Sequence, residues 1–193
     1  MVVFGITGGS GSGKTSVSKM LEKLGVHIID TDVIAHEIVE PNSDCLNELV
    51  DYFGDSILND DKTLASIAFS DKQKTEALSN ITHKYIKAEV VKDINTTDAE
   101  LVGIDGAVII GSNVEPLCEF IVSVIADKQS RITRIKTRDN ITDEQAIQRI
   151  NAQNDDEFYK ENSMYIIYNN GDIAQLESDV VVLFNKIKGN SFE

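Results

Sequence analysis

Gly8-Gly9-Ser10-Gly11-Ser12-Gly13-Lys14-Thr15 matches the spacing G-x-x-x-x-G-K-[ST] at every fixed position, a pattern suited to wrapping phosphates. Its glycines tolerate positive φ and let successive backbone amides close around phosphate oxygens. Lys14 supplies a point charge for the outer phosphates, and the Thr15 hydroxyl suits Mg²⁺. Gly11, Ser12, Gly13, Lys14, Thr15 and Ser16 are therefore the expected nucleotide-binding residues. The elements that must hold such a loop flank it directly. Residues 2–7 read as a buried strand. Residues 16–24 read as a helix with Val17, Met20, Leu21 and Leu24 on one side. A strand, a glycine loop and a helix N-terminus together aim donors and a dipole at one anion. The expected ligand is a nucleoside triphosphate.

Four further β-rich runs follow, at 26–30, 101–104 (extending at most to 110), 120–126 and 165–169. Helical patterns separate them, which predicts an α/β fold with a mainly parallel, five-stranded sheet. Ligands of such sheets bind beyond the carboxyl ends of the strands. Asp30-Thr31-Asp32, Asp105-Gly106, Asp127-Lys128 and Asn169-Asn170-Gly171 all fall at that edge. Between strands two and three the chain looks helical throughout, at 33–39, 45–53, 63–69, 73–78 and 80–94. All four arginines, Arg131, Arg134, Arg138 and Arg149, lie in one short interval. Spacings of three and four put the first three on one helical face, where guanidinium groups suit transferring phosphoryl groups. A solvated face pairing with Asp127, Asp139 and Glu144 is the alternative for them.

The 193 residues suffice for one buried core, and a net charge of −14 argues against nucleic acid or an anionic membrane as partner. The apolar stretch 101–126 is broken by Asp105, Glu115, Pro116 and Glu119, so it cannot span a bilayer as one helix. The chain enters its first strand at once, so no signal peptide is expected. Cys45 and Cys118 lie far apart without metal-ligand spacing, which predicts buried, reduced thiols in a cytoplasmic protein. A monomer or weak homo-oligomer is expected, with a free tail from Gly189 on.

The chain resembles the dephospho-coenzyme A kinases over roughly residues 2–180. The resemblance rests on Ile6 to Thr15, Ile28-Ile29-Asp30-Thr31-Asp32-Val33-Ile34-Ala35-His36, Tyr52 to Leu58, Leu78 to His83, and Lys136-Thr137-Arg138-Asp139 followed by Ala152-Gln153, in that order. It implies the three-layer sandwich of phosphate-loop kinases. Residues 1–32, 99–135 and 159–193 would form the nucleotide-binding core, 33–98 a helical acceptor-binding subdomain, and 136–158 a lid. It also implies transfer of the γ-phosphoryl of ATP to the ribose 3′-hydroxyl of dephospho-coenzyme A, with Mg²⁺. Three departures stand out: Lys84 where the family has proline, Gly111 where it has glutamate, and Tyr168 where it has aspartate.

On this reading Lys14, Asp32 and Arg138 are the catalytic set. Lys14 follows charge onto the transferring group. Asp32 orients or accepts the proton of the acceptor hydroxyl and shares Mg²⁺ with Thr15 through water, unless it only caps the following helix. Arg138, with Arg134, clamps transferring oxygens as the lid closes. His83 contacts the acceptor, and Asn169 the nucleotide base, though a helix histidine and a turn asparagine are equal readings. Asp30 is read as support. The alternatives are a nucleoside monophosphate kinase, which the Asp105-Gly106 pair resembles, and an ATP-binding regulator without transferase activity. A GTPase is disfavoured because Asn185-Lys186-Ile187-Lys188 lacks the aspartate that guanine recognition needs.

Overall fold

Five short apolar runs, each too brief for a stable helix and rich in Val and Ile, form the strands. A computed structural model describes residues 1–58, 61–68 and 70–190. The strands are β1 (Val2–Thr7), β2 (His27–Asp30), β3 (Leu101–Asp105), β4 (Phe120–Ile125) and β5 (Tyr165–Tyr168). They pair in the order β2-β3-β1-β4-β5, and every pairing is parallel. The sheet is thus wholly rather than mainly parallel. Near-continuous hydrophobicity explains this, since parallel strands are buried on both faces and do not alternate. β3 ends at Asp105: the Gly106 amide still donates to the Ile6 carbonyl at 3.1 Å, but the turns after it leave the ladder, so the extension toward residue 110 does not form.

The chain folds as two compact units, Met1–Asp30 with Thr97–Glu193, and Thr31–Thr96. In the first, α1 (Lys14–Lys23) and α9 (Ile173–Asn190) build the main core with the sheet. Val17, Leu21, Val180 and Leu183 meet Phe4, Ile6, Val122 and Val124, all nearly inaccessible to solvent. Burying one such side chain contributes roughly 1.5–3 kcal/mol, which makes this cluster the anchor of the phosphate loop. The stretch after β4 forms α6 (Lys128–Asp139), α7 (Asp143–Asn151) and α8 (Asp156–Glu161). Each start is capped from the sequence: Asp127 accepts from the Ser130 amide, Thr142 from Gln145, and Asp155 from Phe158. Asn140 ends α6 in the left-handed conformation, a role asparagine tolerates. Gly189 and Asn190 close α9 rather than starting a tail, and residues 191–193 lie outside the described residues.

The second unit is helical: α2 (Thr31–Glu37), α3 (Asp44–Phe53), α4 (Asp61–Ala68) and α5 (Lys72–Thr96), with a short 3₁₀ turn at Asp55–Leu58. Phe69, the end of one expected helix, lies outside the described residues. The segments 73–78 and 80–94 join as one helix of 25 residues, because no glycine or proline interrupts it. Lys84 sits in the middle of α5. Its ammonium donates to Glu48 at 2.7 Å, and the Tyr85 hydroxyl donates to the same carboxylate oxygen at 2.7 Å. Proline at this position would remove an amide donor and strike the preceding turn. Lys84→Pro is expected to cost about 3 kcal/mol, whereas Lys84→Ala should be nearly neutral because the ion pair is exposed. Urea unfolding of both variants checks the contrast. Cys45 is buried, and burial with help from Glu48 pushes its thiol up to about 11. Burial and Glu115 push Cys118 up to about 12, so both stay protonated.

Candidate active site

The phosphate loop joins β1 to α1, and its last glycine sets its shape. Gly13 adopts φ 97° and ψ 19°, a left-handed turn that few side chains tolerate. The Ser16 and Val17 amides return to the Gly13 carbonyl at 2.9 and 3.2 Å. Those of Lys14 and Thr15 precede the first intrahelical acceptor, and no side chain caps them. Ser12 Oγ is buried without a hydrogen-bond partner among the described residues. Uncapped amides at a helix N-terminus beside an orphaned hydroxyl fit an anion of several oxygens. Thr15 and Ser16 are exposed at the start of α1. A Cβ on Gly13 would collide with the Asn169 carboxamide. Gly13→Ala is therefore expected to weaken ATP binding at least about tenfold and to lower Tm, since strain and clash coincide there. Calorimetric titration and thermal unfolding read the two effects.

Lys14 forms an ion pair with Asp105, and the two side chains are only 14% and 4% exposed. The register explains how residues 91 positions apart meet: Asp105 lies beside Ile6 in β1 and beside Asp30 in β2. Asp105 was legible as the end of the third strand and, with Gly106, as a pair like that of nucleoside monophosphate kinases, but not as the partner of Lys14. A carboxylate closing a buried parallel strand, at the edge where ligands bind, was the available signal. Among the described residues no group of three or more His, Cys, Asp or Glu side chains is arranged to hold a metal. Mg²⁺ in phosphoryl-transfer sites takes only one or two protein oxygens besides phosphate and water, which Thr15 and Asp105 can provide.

The arginines divide into two groups. Arg131, 5% exposed, donates from Nε to the Ser10 carbonyl at 2.9 Å and lies 3.7 Å from Asp156. Its guanidinium fills the space a Cβ on Gly9 would need. Arg134 donates to the carbonyls of Gly11 (3.2 Å), Ser12 (3.3 Å) and Asn169 (3.0 Å). Asn169 Nδ2 donates to the Ser12 carbonyl at 2.8 Å, so Arg134 and Asn169 brace the loop from outside. Gln153, just past α7, accepts from the Ser10 amide at 2.7 Å and from Arg131 at 3.3 Å. Arg138 instead donates to Asp139 at 2.7 and 2.9 Å, and Arg149 pairs with that same carboxylate. These guanidinium groups hold Asp139 well below the usual carboxylate range.

In the helical unit, Asp32 is exposed in the first turn of α2. The helix starts at Thr31, so Asp32 lies inside it and does not cap it. His36 Nδ1 lies 2.6 Å from the Asp32 carbonyl, which places the proton on that nitrogen. His83 is exposed on α5.

The pattern of the dephospho-CoA kinase family matches residues 2–175. This chain belongs to the dephospho-CoA kinase family. It is 32% identical to a dephospho-CoA kinase of Lactobacillus johnsonii, covering 95% of this chain and 96% of that one. It is likewise 32% identical to one from Listeria monocytogenes, over 96% and 97% of the two chains. A solved dephospho-CoA kinase from Campylobacter jejuni superposes with a TM-score of 0.70 at 26% identity, covering 97% of this chain and 98% of that one. A shikimate kinase from Bacteroides thetaiotaomicron, 18% identical, shares the fold with a TM-score of 0.56, covering 97% and 98%. The fold is that of the phosphate-loop kinases, with helices on both sides of the parallel sheet. Family membership makes the chain a phosphotransferase acting on an alcohol group.

Gly111 and Tyr168, two of the departures from the family pattern, have distinct local settings. Gly111 has φ 79°, and its amide donates to Glu115 Oε2 at 2.6 Å, a turn that a glutamate at 111 would strain. Tyr168 is 52% exposed at the end of β5, next to the buried Asn169. Among the described residues no helix is long and apolar enough to cross a membrane.

Proposed function

We propose that this chain transfers the γ-phosphoryl group of ATP to the ribose 3′-hydroxyl of dephospho-coenzyme A, the last step of coenzyme A synthesis. The observation that carries this is a phosphate loop whose lysine is held at the carboxyl edge of the sheet by Asp105, in a chain of this family. Phosphoryl transfer needs positioning and charge stabilisation more than covalent chemistry, and the loop supplies both. Lys14 leaves Asp105 for the transferring oxygens as charge builds on them. Thr15, with the carboxylates of Asp105 and Asp32 as candidate partners, would hold Mg²⁺, which would supply positive charge to offset that of the phosphates. Asp32 takes the proton of the acceptor hydroxyl, and His83 helps hold the acceptor.

Arg134 acts mainly by stiffening the loop, because its donors are spent on loop carbonyls. Arg138 reaches the transferring oxygens by exchanging Asp139 for phosphate. That exchange costs little, since exposed ion pairs contribute only about 0–1 kcal/mol. Asn169, fixed to the Ser12 carbonyl, sets the side of the loop on which the ATP base lies. The 136–158 segment, tied to Ser10 through Gln153, is the lid, and residues 33–98 carry the acceptor. Both substrates are small and soluble, which suits a cytoplasmic enzyme.

ADP release from ATP and Mg²⁺ tests the reading, with dephospho-coenzyme A, CMP, UMP and AMP as separate acceptors. Stimulation by dephospho-coenzyme A alone is expected. Stimulation by a monophosphate alone assigns a different acceptor, and tight ATP binding without any stimulation assigns a regulator.

A further inference from the structure

β5 is an outer strand of the sheet and pairs only with β4, so one line of its backbone donors and acceptors faces outward. Proteins usually blunt such an edge with charge or proline. Tyr165-Ile166-Ile167-Tyr168 carries neither. A groove of about 240 Å³ runs along this edge, between β5 and the Asp179, Val182 and Lys186 side of α9. Tyr168 and Val182 line it and are 52% and 50% exposed, so the groove presents apolar surface to water. Positions 179, 182 and 186, three and four apart, lie on one face of the helix. Lys186 is exposed and has no ion-pair partner among the described residues. Asp179 accepts from Gln175 Nε2 with Oδ1 at 2.9 Å, which leaves Oδ2 for a cation.

We infer that this groove is the contact between two copies of this chain, related by a two-fold axis that passes beside Val182. A two-fold contact needs a self-complementary surface, in which residue i meets j and j meets i. The groove has that pattern. Val182 lies between Asp179 and Lys186 on the helix face, so two α9 helices set antiparallel bring Val182 against its own copy. Asp179 then faces Lys186 of the partner subunit, and Lys186 faces the partner subunit's Asp179. Two opposite-charge pairs thus flank an apolar centre. Tyr165–Tyr168 line the other wall of the same groove, so the axis sets the two β5 edges antiparallel, where each covers the other's outward backbone groups. A lone extended peptide would cover β5 but has no reason to match both charges reciprocally, which is what favours a second copy. The net charge of −14 on each copy repels the other, but salt screens this beyond about 8 Å at physiological ionic strength, so short-range complementarity decides.

Sedimentation velocity of the full chain, from micromolar to near-millimolar concentration, is expected to show the mass pass from one chain to two. Lys186→Glu and Asp179→Lys each place like charges at both pairs, and each is expected to raise the dimer dissociation constant at least about tenfold. Both positions lie outside the buried core, so the variants keep the fold. Combining Asp179→Lys with Lys186→Glu exchanges the charges and rebuilds both pairs. The double variant is expected to dimerise within about threefold of wild type, a recovery that only residues in direct contact can give. A wild type that stays a single chain at every concentration overturns the proposal and leaves the edge to another occupant, such as an extended peptide. A dimer that Lys186→Glu does not weaken, or that the charge exchange does not restore, is built on a different surface and overturns it as well.

Discussion

Lys14→Ala should lower turnover at least about a hundredfold, with a much smaller effect on the fold than on the chemistry. The magnitude is that of losing a preorganised charge from a site where phosphoryl charge develops. The substitution also leaves the Asp105 carboxylate, 4% exposed, without its ammonium. Removing one member of a buried ion pair is destabilising, so Tm should fall as well. Lys14→Ala combined with Asp105→Asn separates the two effects. The double variant should regain most of the lost Tm and none of the lost turnover. Near-normal turnover in the single variant would remove the phosphate-loop assignment.

Asp32→Asn should depress kcat by about a hundredfold or more, within the range of a lost general base, and leave the KM for ATP nearly unchanged. Asn keeps the size and hydrogen bonding of the side chain but cannot accept the acceptor's proton. The first turn of α2 tolerates the exchange, because Asp32 is exposed there and does not cap the helix. Asp105→Asn is the informative companion. It should shift the Mg²⁺ concentration needed for half-maximal rate, since Asp105 faces Lys14 at the loop. An Asp32→Asn enzyme that lost ATP affinity while chemistry survived would make Asp32 chiefly a metal ligand.

What the chain determines alone is the nucleotide chemistry and the order of the elements that carry it. The loop motif, five apolar runs and their separating helices are local signals, because glycine conformations and hydrophobic periodicity act over a few residues. They specify a parallel α/β sheet with its polar residues at one edge. The caps at Asp127, Thr142 and Asp155 are equally local and set the starts of α6, α7 and α8. Even so, the merging of 73–78 with 80–94 into α5 was hidden, since Ser79 and Asn80 at the join favour caps and turns and read locally as a break.

The partners of the charged side chains were decided by the tertiary structure. Three arginines spaced three and four apart share a helical face, yet only two of them brace the loop, while Arg138 turns to Asp139 beside it. Lys14 finds Asp105 across 91 residues, and Asn169 finds the Ser12 carbonyl across 157. Long flexible side chains choose partners by geometry and desolvation, which depend on how strands register in three dimensions.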